Sequence, residues 1–373
     1  MSGAAPSARR LRILHTESSL GWGGQEIRVL TEARGVARAG HEVVLAAPEE
    51  SRIFEEAPRY GVEALPLAIA RKGMGGVAAL RALLARRAFD VVNTHSSTDA
   101  WLAALACRLR AAPPAVVRTR HISAPAPRNA PTRWLYRRGA ERIVTTGERL
   151  RLQVIEESGV EPARVVSIPT GIDLAVFQPG DRAAARARLG LPLARNIVGI
   201  VATLRSWKGH RYLLQAMAEL REREALLVVV GEGPQRAALE TLAAQLDLGE
   251  RVRFAGNQVD VAPWMQSFDL FCLPSYANEG VPQALMQAMA CALPVVTTAV
   301  GSIDEIVEDG ATGVMVAPGE APSLRDALDG LLADDARRRA LGDAARLRAL
   351  ERFGEERMVE RMLAVFESVA KRG

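Results

Sequence analysis

The segment EGVPQALMQAMA, residues 279–290, begins with a carboxylate, Glu279, and carries an amide, Gln287, eight positions later. Its apolar residues recur with helical spacing and predict a helix over 281–292, with Gln283 and Gln287 away from the buried face. The predicted buried positions are Val281, Leu285, Ala288, Met289 and Ala292. A helix rises about 1.5 Å per residue, so Glu279 and Gln287 are at most ~12 Å apart, comparable with the reach from a sugar across a diphosphate to a ribose. A carboxylate before a helix also complements the helix dipole, and Gln287 also fits an exposed polar position, so both interpretations stay open.

Two cations, Arg205 and Lys208, lie in VATLRSWKGHRYLLQA, between a strand pattern and the beginning of a predicted helix. A cation at that end opposes the helix dipole unless an anion lies between them, and a bound diphosphate would supply that anion. Lys208 is also one of only three lysines in the chain, which favours a specific role. The segment therefore indicates a phosphate-binding site, with a solvated pair of surface cations as the alternative.

Two histidines, His95 and His121, end the predicted strands DVVNTH and AVVRTRH. Ligands of open α/β sheets bind outside the carboxyl ends of the strands, so both side chains are candidates for contacts with a substrate. His15, His41 and His210 fit positions in a strand, a turn and a helix start that make no special demand. No pair of histidines has metal-ligand spacing together with carboxylates, and neither a metal ion nor another cofactor is predicted.

The scaffold for these residues is indicated by short β-branched runs that alternate with longer helical patterns. In the first half the runs are RILHT, EVVLAA, VEALPLAI, DVVNTH, AVVRTRH, RIVTTG and RVVSIP. In the second half they are NIVGIVATL, ALLVVVG, RVRFAG, LFCLPS, PVVTTAV and TGVMVAP. Each run is mostly apolar, as expected for parallel strands that helices cover on both faces. The sequence therefore predicts an α/β fold with two doubly wound, parallel-sheet, Rossmann-like domains facing each other across a cleft.

The domain boundaries follow from a segment that interrupts this alternation. PTGIDLAVFQPGDRAAARARLGLP carries Pro, Gly and Asp and places a hinge near residues 170–192. The predicted domains are 1–178 and 179–355, followed by a terminal helix within 356–373 that packs back on the first domain. A length of 373 residues suits two domains of this size.

Composition marks an ordinary globular protein, with 49% hydrophobic and 24% charged residues. No apolar run approaches the ~18 residues that a membrane-spanning helix needs. The segment MSGAAPSARRLRILH lacks the apolar stretch of a signal peptide. We therefore expect a cytoplasmic protein, with peripheral contact to the cytoplasmic face of the inner membrane as a further expectation from its charge.

The positive charge is concentrated in one stretch of the first half. Residues 1–180 contain 25 Lys and Arg against 17 Asp and Glu, whereas residues 181–373 contain 23 against 26. Between residues 108 and 151 there are eleven arginines and two glutamates. Such a face suits anionic lipid headgroups or a phosphorylated acceptor, and a solvated Arg-rich surface is the alternative. No nucleic-acid partner is predicted.

The segment PSYANEGVPQALMQAMACALPVV resembles the signature of family 4 retaining glycosyltransferases with the GT-B fold, of the bacterial cell-envelope and lipopolysaccharide type. In that family a Glu, seven residues and a second Glu hold a sugar nucleotide, the first through the donor sugar and the second through the ribose hydroxyls. By this resemblance Glu279 takes the first role. Gln287 stands at the second position, where its amide pairs with a ribose diol without a charge-assisted bond. Ala292 stands where the family often has Gly.

Four further segments are similar to family motifs in the same order. GWGGQEIRVL resembles the N-terminal glycine loop, and VATLRSWKGHRYLLQA resembles the basic phosphate motif, with Thr203 in place of the family's arginine and Arg205 as its substitute. VVGEGPQRAALE and VRFAGNQVDVAPWMQSFDLFCLPS match the family's spacing before the Glu279 loop. The resemblance implies catalytic roles for Glu279, His121, Arg205 and Lys208. It implies donor-binding roles for Gly23, Gly24, Arg205, Lys208, Gly231, Gly233, Asn257, Val259, Glu279, Gly280, Val281, Pro282, Gln283 and Gln287. It implies acceptor-binding roles for His95 and Arg120.

The resemblance implies that the first domain binds an acceptor and the second a nucleotide-sugar. The sugar would pass to an acceptor hydroxyl with retention at the anomeric carbon and without a metal ion. The expected acceptor is a glycan or lipid-linked molecule of cell-envelope or lipopolysaccharide synthesis. A sugar-nucleotide epimerase on a similar fold and a non-catalytic nucleotide-sugar binder, the latter suggested by Gln287, are the alternatives. A nicotinamide dehydrogenase is disfavoured because Glu26 occupies the place of the third glycine in a dinucleotide fingerprint.

Overall fold

Short runs of Val, Ile and Leu form the strands of two parallel sheets in the computed structural model, which describes residues 9–122, 124–277 and 279–370. The strands of the first sheet are β1 (Arg12–Thr16), β2 (Glu42–Ala47), β3 (Glu63–Pro66), β4 (Val91–Thr94), β5 (Ala115–Arg120), β6 (Arg142–Thr145) and β7 (Val165–Ser167). The strands of the second are β8 (Ile197–Val201), β9 (Leu226–Val230), β10 (Val252–Gly256), β11 (Leu270–Leu273), β12 (Val295–Thr298) and β13 (Val314–Val316). Each strand lies within one of the predicted runs, so the two-sheet prediction is confirmed.

The chain divides into two compact units, one extending to Gly171 and resuming at Glu355, the other covering Ile172–Gly354. The sequence prediction placed these divisions after 178 and after 355. The first division comes earlier than predicted because residues 172–178 pack within the second unit: Ile172 is buried in the core cluster of that unit, and its amide donates to the Phe353 carbonyl at 2.7 Å.

Helices cover both sheets. In the first unit they are α1 (Gly24–Arg38), α2 (Arg52–Glu56), α3 (Met74–Arg86), α4 (Ser97–Arg108), α5 (Ala130–Arg138), α6 (Glu148–Ser158) and the terminal α14 (Glu355–Val369). In the second they are α7 (Arg182–Leu189), α8 (His210–Glu219), α9 (Arg236–Gln245), α10 (Ala262–Ser267), α11 (Gln283–Ala290), α12 (Ala321–Leu332) and α13 (Asp335–Arg352). No helix in the described ranges is both long enough and apolar enough to cross a bilayer.

The terminal helix α14 packs on α1 within the first unit. Gly35 of α1 lies so close to Val359 that a Cβ at position 35 would overlap the valine side chain. Arg34 pairs with Glu355 at 2.6 Å, and Met358 is buried in the same core cluster as the strands of the first sheet. The last helix therefore completes the core of the first unit.

The order of the strands locates the ligand-binding edge of each sheet. The first sheet runs β3-β2-β1-β4-β5-β6-β7 and the second runs β10-β9-β8-β11-β12-β13. In each sheet the order reverses between two central strands, β1 and β4 in the first and β8 and β11 in the second. Open parallel sheets bind ligands beyond the carboxyl ends of the strands at such switch points. The loops after these four strands are therefore the places to look for a site.

Candidate active site

The loops after β8 and β11, at the switch point of the second sheet, bring together two of the predicted catalytic residues. Lys208, beyond β8, donates from Nζ to Oε1 of Glu279, beyond β11, at 2.7 Å. The side chain of Lys208 is 17% exposed and that of Glu279 is 4% exposed. A charged hydrogen bond between partly buried groups is strong and has a defined geometry. The fold therefore holds the Lys208–Glu279 ion pair in place at the carboxyl ends of β8 and β11.

Backbone packing sets the position of Lys208. Ser206–Lys208 form a 3-10 turn, and Gly209 follows with φ 77°, the left-handed region that favours glycine. A Cβ at position 209 would overlap the carbonyl of Pro274. The loop after β8 thus lies directly on the loop after β11, and the amide of Tyr276 donates to the Trp207 carbonyl at 2.9 Å. Only glycine permits this approach.

Glu279 is also positioned by Ser275 and by the loop after β12. The hydroxyl of Ser275 donates to Glu279 Oε1 at 2.6 Å. Gly301, with φ 64°, lies so close that a Cβ would overlap the Glu279 carbonyl. The amide of Ser302 donates to the Gly280 carbonyl at 3.3 Å. Loops after three neighbouring strands, β8, β11 and β12, therefore orient one carboxylate.

The predicted donor-binding glycines Gly231 and Gly233 have a packing role in the structure. Gly231 has φ 140°, and a Cβ there would overlap the carbonyl of Ala202. A Cβ at Gly233 would lie 2.7 Å from the carbonyl of Leu204. These glycines let the loop after β9 rest on the loop after β8, and the sequence alone did not distinguish this from an approach to a ligand.

The remaining donor-binding candidates in the second unit lie in the loops after β8, β10 and β11 and on α11, where most of them are exposed or half-buried. Arg205 is exposed, with its guanidinium 5.8 Å from the centroid of the Trp207 ring. Asn257 is exposed after β10, and Val259 is 88% exposed. Gly280, Val281 and Pro282 connect Glu279 to α11, on which Gln283 and Gln287 are half-buried.

The helix predicted over 281–292 is shorter in the structure. Pro282 caps the beginning of α11, which ends at Ala290. Leu285, Ala288 and Met289 are buried as predicted, whereas Val281 lies before the helix. Ala292 lies beyond it with φ 58°, a conformation in which glycine is preferred.

At the switch point of the first sheet, three histidines form a chain. His15 Nδ1 lies 2.9 Å from His95 Nε2, and His95 Nδ1 lies 3.0 Å from His121 Nε2. Burial lowers the pKa of His15 to about 3 and holds the pKa values of His95 and His121 well below the usual value, so the rings are neutral at pH 7. The structure thus brings together both predicted histidines and adds His15, for which the sequence indicated no special role.

A second buried network lies beside this chain. Asp99 on α4 accepts from the Thr16 hydroxyl at 2.8 Å, from the His95 amide at 2.8 Å and from the Ser96 amide at 2.8 Å. These bonds tie the loop after β4 to the end of β1 and complete the cap of α4, which has Ser96 at its N-cap. Asp99 therefore fixes the backbone at His95.

The predicted acceptor-binding residue Arg120 makes its hydrogen bonds within the first unit. It is 7% exposed and donates to the carbonyls of Ile122 and Ala124 and to the hydroxyl of Tyr136. All three nitrogens of its guanidinium are thus engaged within the first unit. Arg120 thus holds the segment after β5, and its contact with an acceptor stays a prediction. Arg118 is also buried, with its guanidinium 4.1 Å from the centroid of the Tyr136 ring.

The glycine loop precedes α1, with Gly23 as the N-cap and Gly24 as the first helical residue. Gly23 is extended, with φ −177°, and a Cβ would come no closer than 3.7 Å to a neighbouring atom, so packing within the unit does not require glycine there. Glu17 lies on the same edge and accepts from the Ser19 amide at 2.8 Å and from Gln25 at 2.6 Å. Burial and the Asp99 carboxylate raise the pKa of Glu17 to about 8.

Among the described residues, one group has the composition of a metal site: His15, Glu32 and His95, with ligand atoms within 4.8 Å of one another. Two imidazole nitrogens on a tetrahedral zinc ion would be about 3.4 Å apart, whereas His15 Nδ1 and His95 Nε2 are at a hydrogen-bond distance of 2.9 Å. The Arg28 guanidinium also lies 3.8 Å from Glu32 Oε2, and its charge opposes a bound cation. This geometry fits a hydrogen-bond network better than a metal centre, and the expectation of no metal stays a prediction.

Comparison with known proteins matches both halves of the chain. Residues 22–176 match the family described as Glycosyltransferase Family 4, and residues 181–348 match Glycosyl transferases group 1. A D-inositol 3-phosphate glycosyltransferase of Mycobacterium tuberculosis is 32% identical over 355 residues, covering 83% of this chain and 71% of that protein.

Solved structures show the same fold. A glycosyltransferase from Rickettsia africae ESF-5 has a TM-score of 0.88 at 19% identity, covering 98% of this chain and 100% of that one. Anabaena Alr3699/HepE in complex with UDP has a TM-score of 0.85 at 20% identity, covering 96% and 100%. The expected GT-B fold is thereby confirmed. With both halves matched and a relative at this level of identity, the chain belongs to the group 1, family 4 glycosyltransferases.

Proposed function

We propose that the chain transfers a sugar from a nucleoside-diphosphate sugar to an acceptor hydroxyl. The observation that carries this proposal is the bond between Lys208 and Glu279 at the switch point of the second sheet. A buried carboxylate is suited to accept hydrogen bonds from sugar hydroxyls, and a neighbouring ammonium is suited to a diphosphate. Arg205, exposed three residues before Lys208, adds a second cation for the charge that grows on the leaving diphosphate.

Retention of the anomeric configuration is part of the proposal and rests on the resemblance to retaining enzymes. In the transfer the bond from the anomeric carbon to the diphosphate oxygen breaks and a bond to the acceptor oxygen forms on the same face. The proton of the acceptor hydroxyl passes to the departing diphosphate. The cations that we propose at the donor site would stabilise that diphosphate without a metal ion.

For the nucleotide we propose uridine diphosphate as the first to test. The support is that Anabaena Alr3699/HepE has been solved with UDP and with UDP-glucose. Gln287, near the end of α11, is the residue that we propose for the ribose. Its amide both donates and accepts, which suits a vicinal diol.

For the acceptor we propose a hydroxyl compound that carries a phosphate, free or on a lipid, in the synthesis of a cell-envelope glycan or lipopolysaccharide. One support is the excess of arginine in the first unit, and another is that a relative acts on D-inositol 3-phosphate. Transfer to D-inositol 3-phosphate and to its unphosphorylated form separates recognition of the phosphate from recognition of the ring.

The first unit also presents a surface suited to a membrane, and we propose peripheral contact with anionic lipid there. Trp101, Leu105 and Leu109 lie on one face of α4 and its end, with Leu105 38% and Leu109 57% exposed. Trp134 of α5 stacks on Trp101 at 5.7 Å, and Arg108 lies 5.1 Å from the Trp134 ring centroid. The exposed arginines of the two helices are Arg108, Arg133, Arg137 and Arg138. Tryptophan, leucine and arginine together are typical of proteins that bind the surface of anionic bilayers.

Flotation with vesicles tests this contact. The protein should float with vesicles that contain phosphatidylglycerol and remain unbound with phosphatidylcholine alone. The double variant Leu105→Ser/Leu109→Ser should lose flotation, whereas Leu347→Ser, at a position 59% exposed in the second unit, should not. Equal flotation of both variants would exclude this surface.

The donor site is tested by calorimetry with UDP, GDP and ADP, followed by transfer assays. Lys208→Ala should weaken binding of the preferred nucleoside diphosphate at least about tenfold. A matched control is Lys72→Ala, a lysine of the first unit that bonds Ser97 at 3.3 Å. No binding of any nucleoside diphosphate to the folded protein would refute the donor site.

A non-catalytic nucleotide-sugar binder is the second candidate, favoured by the amide of Gln287 at the position of the family's second Glu. Such a protein would bind UDP and UDP-sugars without consuming them. An epimerase would convert the donor in the absence of any acceptor. Analysis of the donor by chromatography, with and without acceptor, distinguishes both from a transferase.

A further inference from the structure

The three histidines of the first unit form a continuous chain from the edge of the sheet into its interior. His121 bonds His95 through Nε2, and His95 bonds His15 through its other nitrogen. The rings of His15 and His95 stack with centroids 5.1 Å apart and 8° between their planes. His121 is half-buried, and its Nδ1 makes no hydrogen bond among the described residues. The chain therefore has an outer end at His121 and an inner end at His15.

The inner end meets polar atoms that have no hydrogen-bond partner. His15 Nε2, Glu32 Oε2 and two nitrogens of Arg28, Nε and Nη2, are buried and unpaired among the described residues. Arg28 Nε lies 3.8 Å from Glu32 Oε2. A ring nitrogen of His15 and a carboxylate oxygen of Glu32 lie within 4.8 Å of each other, a separation that a single bridging water molecule can span.

A chain of neutral imidazoles has only two consistent arrangements of its protons. Each ring carries one N–H, and each hydrogen bond needs one donor and one acceptor. If His121 donates from Nε2, then His95 and His15 must also carry their protons on Nε2. If His121 accepts at Nε2, all three rings carry the proton on Nδ1 instead. The inner end thus decides whether Nδ1 of His121 is an acceptor or a donor.

We propose that the Glu32 carboxylate selects between these two proton arrangements. Every ring of the histidine chain is then protonated on Nε2, and His121 presents the lone pair of Nδ1. An ionised carboxylate only accepts hydrogen bonds, which favours an N–H on the inner nitrogen of His15. Burial raises the pKa of Glu32 to about 7, and this is opposed by the Arg28 cation and by the Asn93 amide, which donates to Glu32 Oε1 at 3.0 Å. The carboxylate is therefore mainly ionised at pH 8. His15, His95 and Glu32 are then positioning residues.

The consequence for the reaction rests on the proposed function. An acceptor lone pair at His121 Nδ1 would bind a hydroxyl of the donor sugar or of the acceptor substrate. It would orient that hydroxyl, and it would disfavour a ligand that offers only a lone pair at the same point. The chain would therefore determine which polar group His121 recognises.

Which nitrogen of each imidazole carries the proton is measured by ¹⁵N NMR of the substrate-free protein at pH 8. Because no substrate is present, the result does not depend on the proposed function. The protein contains five histidines, so their NMR signals can be assigned by substituting them one at a time. His41 is an internal standard, because its Nδ1 accepts from the Leu11 amide at 3.1 Å and its proton must lie on Nε2. His15, His95 and His121 should give the same pattern as His41. An Nδ1–H tautomer at His121 would overturn the proposal.

The Glu32→Gln substitution should move the protons of the three imidazoles from Nε2 to Nδ1. Asn93 accepts from the Thr119 hydroxyl at 2.9 Å, so its NH₂ points to residue 32 and holds the amide oxygen of the new Gln. The NH₂ of that Gln would then face His15 as a donor and move all three protons to Nδ1. The control Glu157→Gln, a buried glutamate that bonds the Ala126 amide at 3.1 Å, should leave the tautomers unchanged. A folded Glu32→Gln protein with the wild-type tautomer at His121 would refute the role of Glu32.

A second variant interrupts the chain without changing Glu32. His15→Phe retains an aromatic ring beside Phe366, which now meets His15 edge-on at 6.2 Å, and removes both nitrogens. His95 and His121 should then populate both tautomers, and kcat/KM should fall roughly tenfold while the affinity for UDP alone is retained. A single retained tautomer at His121 in this variant would show that the chain does not set it. Failure of the transfer assay in wild-type protein would instead count against the proposed function and leave the NMR result standing.

Discussion

The Nζ atom of Lys208 lies 2.7 Å from Oε1 of Glu279, although the two residues are 71 positions apart. The same oxygen accepts the hydroxyl of Ser275 at 2.6 Å. Lys208 and Glu279 are both proposed to contact the donor, Lys208 at the diphosphate and Glu279 at the sugar. A substrate must therefore compete with an ion pair that exists within the protein, and this gives substitutions of the two residues opposite effects on nucleotide binding.

Glu279→Gln should tighten UDP binding by about threefold to tenfold, because Lys208 is released from its carboxylate partner and faces the diphosphate alone. The same substitution should lower turnover by at least about a hundredfold, because the sugar loses a charged acceptor. Lys208→Met should weaken UDP binding. Calorimetry with UDP and a transfer assay measure the two effects, and a loss of UDP affinity in Glu279→Gln as large as in Lys208→Met would contradict the assignment.

Gln287→Glu should raise the affinity for UDP by about threefold to tenfold, because a carboxylate makes charge-assisted bonds to a ribose diol. The gain should be reduced with 2′-deoxy-UDP, which lacks one hydroxyl. Gln283→Glu, four residues earlier on α11 and also half-buried, is the control and should not discriminate between the two nucleotides. Equal gains for UDP and 2′-deoxy-UDP would place Gln287 away from the ribose.

The sheets could be predicted from the sequence because most of the strands, above all those at the centre of each sheet, are buried on both faces. A run such as LLVVV in β9 has no exposed position, and this differs clearly from the helical patterns around it. Glu279 and Lys208 could be proposed as candidates because each lies between a predicted strand and a predicted helix. Their bond could not be predicted, since the cation was expected to need a bound diphosphate, whereas the protein itself supplies an anion in Glu279.

Only two members of the histidine chain, His95 and His121, could be proposed as candidates from the sequence, and neither their contact nor the role of His15 could be predicted. His15 and His95 are 80 positions apart, and they meet because β1 pairs with β4, which is not its neighbour along the chain. Strand order is a tertiary property that no local pattern carries. The partners of Arg120, which are Ile122, Ala124 and Tyr136, could not be predicted for a related reason, because they depend on how the segment after β5 folds back.

Glu17 should make stability fall as the pH rises. Its pKa is raised from 4.5 to about 8 in the folded protein, mainly by burial and then by Asp99. Its stabilising contribution is therefore fully present below pH 4.5 and is lost as the pH rises through about 8. Glu17→Gln should gain stability relative to wild type between pH 5 and pH 9 by roughly 1–3 kcal/mol.

Urea unfolding of wild type and Glu17→Gln at several pH values between these limits measures the difference. Glu55→Gln, whose side chain is 63% exposed, is the control and should follow the wild-type profile. A constant difference between Glu17→Gln and wild type across the pH range would show that Glu17 does not titrate there.

Ala292→Gly should stabilise the protein. Ala292 has φ 58°, which costs an L-residue with a Cβ roughly 1 kcal/mol, and glycine removes that cost while adding some flexibility to the unfolded chain. The conformation is fixed by α13, because Gly342 lies so close that a Cβ there would overlap the Ala292 carbonyl. We expect the free energy of unfolding to rise by about 0.5–1 kcal/mol in urea denaturation. Ala290→Gly, within α11 and fully buried, is the matched control and should lower it by about 1 kcal/mol, because glycine is unfavourable inside a helix. Two changes of the same type, two positions apart, should thus have opposite signs, and destabilisation by both would show that the left-handed backbone at Ala292 is not a source of strain.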